Sequence, residues 1–226
     1  VVRNVADVVD APRPEKKAPK AMNREQANRF LEIVRGDRFY PIYLLAIATG
    51  ARQGELLGLH WPDVDLAACT IAIKYTVQEI RGQGLIVKEP KTDTSRRQIS
   101  VPPVVVAALL EHKRRQAGVR EKGLAAGVWQ EQGFVFTTGS GNPVSPRNLQ
   151  RHFHLVLKRN DLPRLPFHAL RHTSASPLLA ENVHPKVVQE MLGHSRIDMT
   201  LDTYSHVIPG MHRGAADKME SILGGG

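Results

Sequence analysis

One stretch of this chain breaks the pattern of everything around it. From Thr70 the sequence runs "TIAIKYTVQEI", with β-branched residues alternating with others, the period of two that marks a half-buried strand. "RGQG" then supplies a turn, and "LIVKE" and "RRQISV" read as two more strands over 85–89 and 96–101. Connections this short favour antiparallel pairing. On both sides the apolar residues recur at helical spacing instead. The chain is thereby restricted to an α+β, mainly α-helical architecture carrying one small three-stranded antiparallel sheet.

The helices can be placed from their ends. Asn23 followed by Gln26 forms a capping-box pattern, and Phe30, Leu31 and Val34 supply an apolar stripe, giving a helix over 23–35. A second spans 38–49 and stops at Gly50, and "RQGELLGL" makes a short third with Arg52 near its start. A further helix covers 102–117, and "FVFTT" before "GSGNP" is a short extended piece and a turn. Ser145-Pro146 is an N-cap with proline in the first turn, opening a helix through Lys158. Helices over 167–181, 185–192, 196–205 and 210–222 complete the chain. Asp63 and Asp65, after Trp61-Pro62, read as turn residues rather than a metal-binding carboxylate pair.

The first 20 residues mix three prolines with charges and lack a sustained apolar period. They read as a linker arriving from an N-terminal domain that precedes this sequence. A main domain over 21–206 and a C-terminal helix or tail over 207–226 follow. In that tail Met211, Ala215, Met219 and Ile222, with Leu223 beside them, form an apolar stripe.

Charge narrows the partner. The 226 residues carry a net charge of +9, which favours a polyanion such as double-stranded DNA. Between 147 and 171, six basic residues face only Asp161. Arg147 and Arg151 lie four apart on one helix face, and Arg96 and Arg97 flank a hairpin; all four are candidate phosphate contacts. Cys69 is the only cysteine, so no disulfide forms within this sequence and no Cys-based zinc site assembles, as expected of a cytoplasmic protein. The longest apolar runs fall far short of the roughly 20 residues of a membrane helix, so no membrane partner is expected.

Three blocks carry chemistry. "PFHALRHTSAS" places His168 and Arg171 three apart, with His172 alongside; "LGHS" brings His194, and "LDTYSH" brings Tyr204. His168 and His172 admit a zinc reading by their spacing of four, but no Glu stands between them as in His-Glu-x-x-His sites, and no metal is expected. Residues 168–206 resemble the second conserved block of the tyrosine recombinases, the phage integrase family, in which His-x-x-Arg precedes Leu-Gly-His and a tyrosine nucleophile. "TGARQGELLGLHWPDVDL" is similar to the family's stretch around its first catalytic arginine, which maps onto Arg52, and "EPKTDTSRRQISVP" is similar to its hairpin, whose lysine maps onto Lys91.

The resemblance implies that 21–206 is the catalytic domain of a site-specific recombinase, that the linker comes from a DNA-binding domain, and that the catalytic residues are Arg52, Lys91, His168, Arg171, His194 and Tyr204, with Glu55 and His172 in support. The residue types suit that chemistry. Guanidinium forks answer the charge that builds on a phosphodiester under attack. An imidazole can take the proton of the tyrosine, and an ammonium can protonate the departing 5′ oxygen. No cofactor, metal or ATP is needed, because the phosphotyrosyl link conserves the energy of the broken bond. The family further implies a homotetramer on paired DNA sites, a four-way-junction intermediate and accessory DNA-bending proteins. The alternatives are a binding module of the same fold without chemistry and a type IB topoisomerase-like relaxing enzyme. Two departures from the family pattern stand out: Pro177 inside a helix, where proline costs about 3 kcal/mol, and Asn182 where a glycine commonly closes that helix.

Overall fold

A computed structural model describes residues 20–89, 96–204 and 218–224, with the side chains of 202–204 left out. The first helix, α1 (Arg24–Ile33), carries the capping box in full: the Gln26 amide donates to Asn23 Oδ1 at 2.8 Å, and the Asn23 amide donates to Gln26 Oε1 at 3.1 Å. Helix α2 (Tyr40–Thr49) follows and ends at Gly50, whose φ of 61° is left-handed. Its residues are apolar on every side, and Ile42, Tyr43, Leu44, Leu45 and Ala46 are all buried, the signature of a helix enclosed by others. Helices α5 (Pro146–Arg159) and α6 (Ala169–Ala180) help to enclose it. Phe30, Tyr43, Phe153 and Phe167 meet there, with the Phe30 ring 5.1 Å from Tyr43 and 5.4 Å from Phe153. A smaller cluster of Ala175, Leu179, Val188 and Leu192 joins α6 to α7 (Pro185–Leu192).

The sheet differs from expectation in its membership. The alternating run from Thr70 is split at Lys74-Tyr75 into β2 (Thr70–Ile73) and β3 (Thr76–Ile80). Strand β2 lies between β1 (Val64–Asp65) and β5 (Arg97–Ser100) in a three-stranded antiparallel sheet, with Ile71 opposite Ile99. Among the described residues, strand β3 pairs only with β4 (Gly84–Lys88), as a separate hairpin with Val77 opposite Val87. The cause lies in α3 (Gln53–Leu57) and the glycine that ends it. A Cβ on Gly54 would meet the Val77 carbonyl oxygen at 2.7 Å, and one on Gly58 would meet that of Tyr75 at 2.7 Å. Two glycines four residues apart thus let the 75–77 backbone lie directly on the helix, drawing the run out of the first sheet. Lys74, at the break, reaches back to Asp63 at 2.6 Å. Asp65 accepts from the amides of Ala67 and Ala68, the turn role expected of it.

Helix α4 (Pro103–Ala125) runs eight residues beyond the expected end at 117. Its second half is polar with few apolar positions, and only Val105, Leu109 and Gly123 are buried along its length, so periodicity gave no signal there. Helix α6 continues through Pro177, whose ring lies on the exposed side, and Asn182 adopts the left-handed φ of 61°. Helix α8 (Ile197–Tyr204) follows α7 closely. Of the expected final helix, residues 218–223 are helical, with Met219, Ile222 and Leu223 exposed; Met211 and Ala215 lie outside the described residues. So does the expected linker, apart from Lys20. No helix among the described residues is long and apolar enough to cross a membrane.

Candidate active site

The site is built around the C-terminal end of α7. Gly193 takes the left-handed φ of 68°, and the amides of Gly193 and His194 turn back onto the Gln189 carbonyl at 2.9 and 3.1 Å. That closes the helix and leaves its last carbonyls to find other donors. Three arginines from three different elements supply them in succession. Arg97 Nε donates to the Met191 carbonyl at 2.8 Å, Arg171 Nη1 to Leu192 at 2.7 Å, and Arg52 Nη2 to Gly193 at 3.2 Å. Arg171 Nη1 also donates to the Gly50 carbonyl at the end of α2, at 2.8 Å. The negative ends of two helix dipoles therefore help to hold a buried guanidinium in place.

Glu55 balances part of this charge. Its Oε1 accepts from Arg52 Nη1 at 2.8 Å and its Oε2 from Arg97 Nη2 at 2.8 Å, while the Arg52 amide donates to Oε2 at 2.9 Å. Burial alone would raise the Glu55 carboxyl, but hydrogen bonds and charge from Arg97, and then from Arg52, hold it below the ordinary carboxylate range. Three guanidiniums against one carboxylate leave an excess of positive charge. Arg52, whose side chain is 42% exposed, carries that excess toward solvent.

Arg97, a candidate phosphate contact by its sequence position, has a side chain that is 8% exposed and faces inward onto Glu55 and α7. The alternation of β5 explains the difference, because Arg97 and Ile99 point to the inner face while Arg96 and Gln98 point outward. Arg96 pairs with Glu89 across the segment between β4 and β5. Lys91 lies in that segment, outside the described residues.

Three imidazoles surround the guanidiniums. His168 precedes the first turn of α6, and its ring lies 5.3 Å from that of His172, edge to face. Burial first, then the charges of Arg171 and Arg52, hold His168 below 6.5. Burial, followed by His168 and Arg171, lowers His172 to about 4. Burial, followed by Arg171 and Arg52, lowers His194 to about 4. All three rings are therefore neutral near pH 7. Among the described residues, no group of three or more His, Cys, Asp or Glu side chains is arranged to hold a metal ion.

His194 is held from behind by residues the sequence reading missed. Gln189 Nε2 donates to its carbonyl at 2.7 Å, and its Nδ1 lies 2.8 Å from Thr200 Oγ1 on α8. Tyr204 ends that helix one turn beyond Thr200; its side chain is outside the described residues. The polar Thr200, four residues before Tyr204 on one helix face, was the available signal. Arg147 shares an open cleft of about 1010 Å³ with Arg52, His168 and the β3–β4 hairpin. Arg151 instead lines a separate cavity beside His152 and Phe39.

The model of the phage integrase family matches residues 20–210. A XerC-like tyrosine recombinase of Caldanaerobacter subterraneus subsp. tengcongensis is 36% identical over 211 residues, covering 88% of this chain and 53% of the relative. The ICEBs1 integrase of Bacillus subtilis is 26% identical, covering 98% of this chain and 60% of the relative. The chain thus spans between half and two thirds of the length of these curated relatives. Among solved structures, the Tn1549 transposon integrase in complex with transposon right end DNA superposes with a TM-score of 0.77 at 25% identity, over 98% of this chain and 71% of that one. The catalytic domain of bacteriophage HP1 integrase superposes with a TM-score of 0.57 at 20% identity, over 89% and 95%. With its helical fold, small antiparallel sheets and a match over 20–210, the chain belongs to the phage integrase family of tyrosine recombinases.

Proposed function

We propose that this chain is the catalytic domain of a site-specific DNA recombinase, and that the recess at the end of α7 receives the scissile phosphate. The observation that carries the reading is the convergence of Arg52 and Arg171 on successive carbonyls of α7, beside neutral His168 and His194. Preorganised guanidiniums stabilise the charge that develops on non-bridging oxygens without reorganising during the reaction.

In the proposed step the Tyr204 oxygen attacks phosphorus and the bond to the 5′ oxygen breaks. His168, neutral at pH 7, takes the tyrosine proton, and Lys91 gives a proton to the departing 5′ hydroxyl. An incoming phosphodiester also brings negative charge that raises the basicity of each nearby imidazole. The product is a 3′-phosphotyrosine, which the 5′ hydroxyl of another strand reseals without ATP. Glu55 orients Arg52, and His172 supports His168. Outside the recess, Arg96, Arg147 and Arg151 contact backbone phosphates of double-stranded DNA. Strand exchange proceeds through a four-way junction in a homotetramer on paired sites, in the cytoplasm, with accessory DNA-bending proteins.

The test is to incubate the chain at low salt with a pool of nicked genomic and phage DNA fragments, and then to denature in detergent. A DNA-dependent mass shift, absent in Tyr204→Phe while DNA binding persists, supports the reading, and sequencing the trapped DNA reveals the target. Binding without any adduct supports a module without chemistry. Relaxation of plasmids that lack any specific site supports topoisomerase-like action.

A further inference from the structure

We infer that Thr200 is a positioning residue that donates its hydroxyl proton to His194 Nδ1, fixing His194 as the tautomer with its proton on Nε2. The ring then presents a donor, rather than a lone pair, to an anion in the recess. The assignment follows from counting protons. Thr200 Oγ1 and His194 Nδ1 are 2.8 Å apart, so one hydrogen lies between them. Thr200 is fully buried, at 0% exposure, and a buried hydroxyl proton left without an acceptor costs about 1–3 kcal/mol.

Buried threonines elsewhere in this fold place that proton on the carbonyl four residues back: Thr49 donates to Leu45 at 2.7 Å and Thr173 to Ala169 at 3.0 Å. Thr200 makes no such bond, and among the described residues His194 Nδ1 is its hydrogen-bond partner. Were the proton on Nδ1 instead, the ring would donate to Oγ1 and the hydroxyl proton would be stranded. With Thr200 as donor, every group is satisfied and Nε2 carries the ring's proton. The ring is neutral at pH 7, so it carries one proton to place.

The consequence rests on the catalytic reading of this site. Arg171 and Arg52 are the charged groups that act most strongly on His194, and an Nε2–H on that ring adds a third donor to the set facing a phosphate. Thr200 also stands one helical turn before Tyr204. The same hydrogen bond therefore ties the helix bearing the nucleophile to the histidine at the end of α7, so that His194 is oriented only when α8 is docked.

A long-range proton–nitrogen correlation spectrum of histidine-labelled protein at pH 7 reads the tautomer directly, with the His194 signals identified by their loss in His194→Gln. The expected spectrum shows a protonated Nε2 and a hydrogen-bonded, unprotonated Nδ1; a protonated Nδ1 in the wild-type chain overturns the proposal. In Thr200→Val, which keeps the shape and removes the hydroxyl, the Nδ1 resonance should lose its hydrogen-bonded shift, and Thr200→Ser should retain it. On a nicked duplex carrying the DNA recovered by Tyr204-dependent trapping, Thr200→Val should form adduct about tenfold more slowly at saturating DNA, and Thr200→Ser within about twofold of wild type. Equal rates for the valine variant and wild type would remove the positioning role. Absence of any wild-type adduct would sink the recombinase reading, whereas the spectrum decides the Thr200 assignment in either case.

Discussion

Replacing Arg97 with methionine isolates the charge balance under the site. Arg97 and Glu55 are 8% and 5% exposed, and two of their oxygen–nitrogen distances are 2.8 and 3.3 Å. Removing one partner of a buried pair costs about 3–5 kcal/mol, because the other charge stays desolvated. Here Arg52 remains on Glu55 and methionine replaces part of the lost stem, so the lower end applies, about 3 kcal/mol. Each kcal/mol lowers the midpoint of a chain this size by about 2–4 °C, which gives a fall of roughly 6–12 °C. Urea unfolding at pH 7, followed by the fluorescence of Trp61 and Trp129, measures the free-energy loss, and a thermal melt measures the fall in midpoint. Adding Glu55→Gln to Arg97→Met should recover at least about 1 kcal/mol, because the buried carboxylate that lost its better-buried partner is gone.

The pH dependence has a definite sign. The folded-state pKa of Glu55 is lowered from 4.5, so its contribution is complete above 4.5 and is lost as the pH falls through the folded value. The gap between wild type and Arg97→Met should therefore narrow on acidification below about 4.5. A loss under about 1 kcal/mol at pH 7, or a double variant no more stable than the single one, would refute the argument.

Two further outcomes are expected. The second-order rate of adduct formation, which reports groups in the free protein, should hold steady down to about pH 6.5 and fall only below it, because His168 is lowered from 6.5 and must be neutral to accept a proton; a midpoint above 6.5 would contradict the role given to His168. Gly193→Ala should destabilise by about 1–3 kcal/mol, since φ is 68° and a Cβ would sit 2.7 Å from Arg97 Nη1. Gly36→Ala, with nothing within 4 Å, is the control and should stay within about 0.5 kcal/mol in urea unfolding.

What could be read from the sequence is what neighbouring residues settle among themselves. The Asn23 capping box, the Ser145-Pro146 start, the helix stop at Gly50 and the left-handed Asn182 each depend on interactions within a few positions. Arg52, Arg171, His168 and His194 could be picked out because their spacing matches a family pattern. The inward direction of Arg97 could not be read, because it depends on which face of β5 meets Glu55, 42 residues earlier. Nor could the split between β2 and β3, which follows from the close seat of Tyr75–Val77 on Gly54 and Gly58.

The division has one physical reason. Caps, turns and periods express the conformational preferences of a short backbone segment, so the sequence by itself determined the kinds of element, most of their ends and the cation-rich chemistry. Which strand joins which sheet, which arginine serves a buried carboxylate and which nitrogen of His194 bears its proton depend on partners distant in sequence or held in register by packing. Those were decided only when the tertiary fold brought α3, β5, α7 and α8 together.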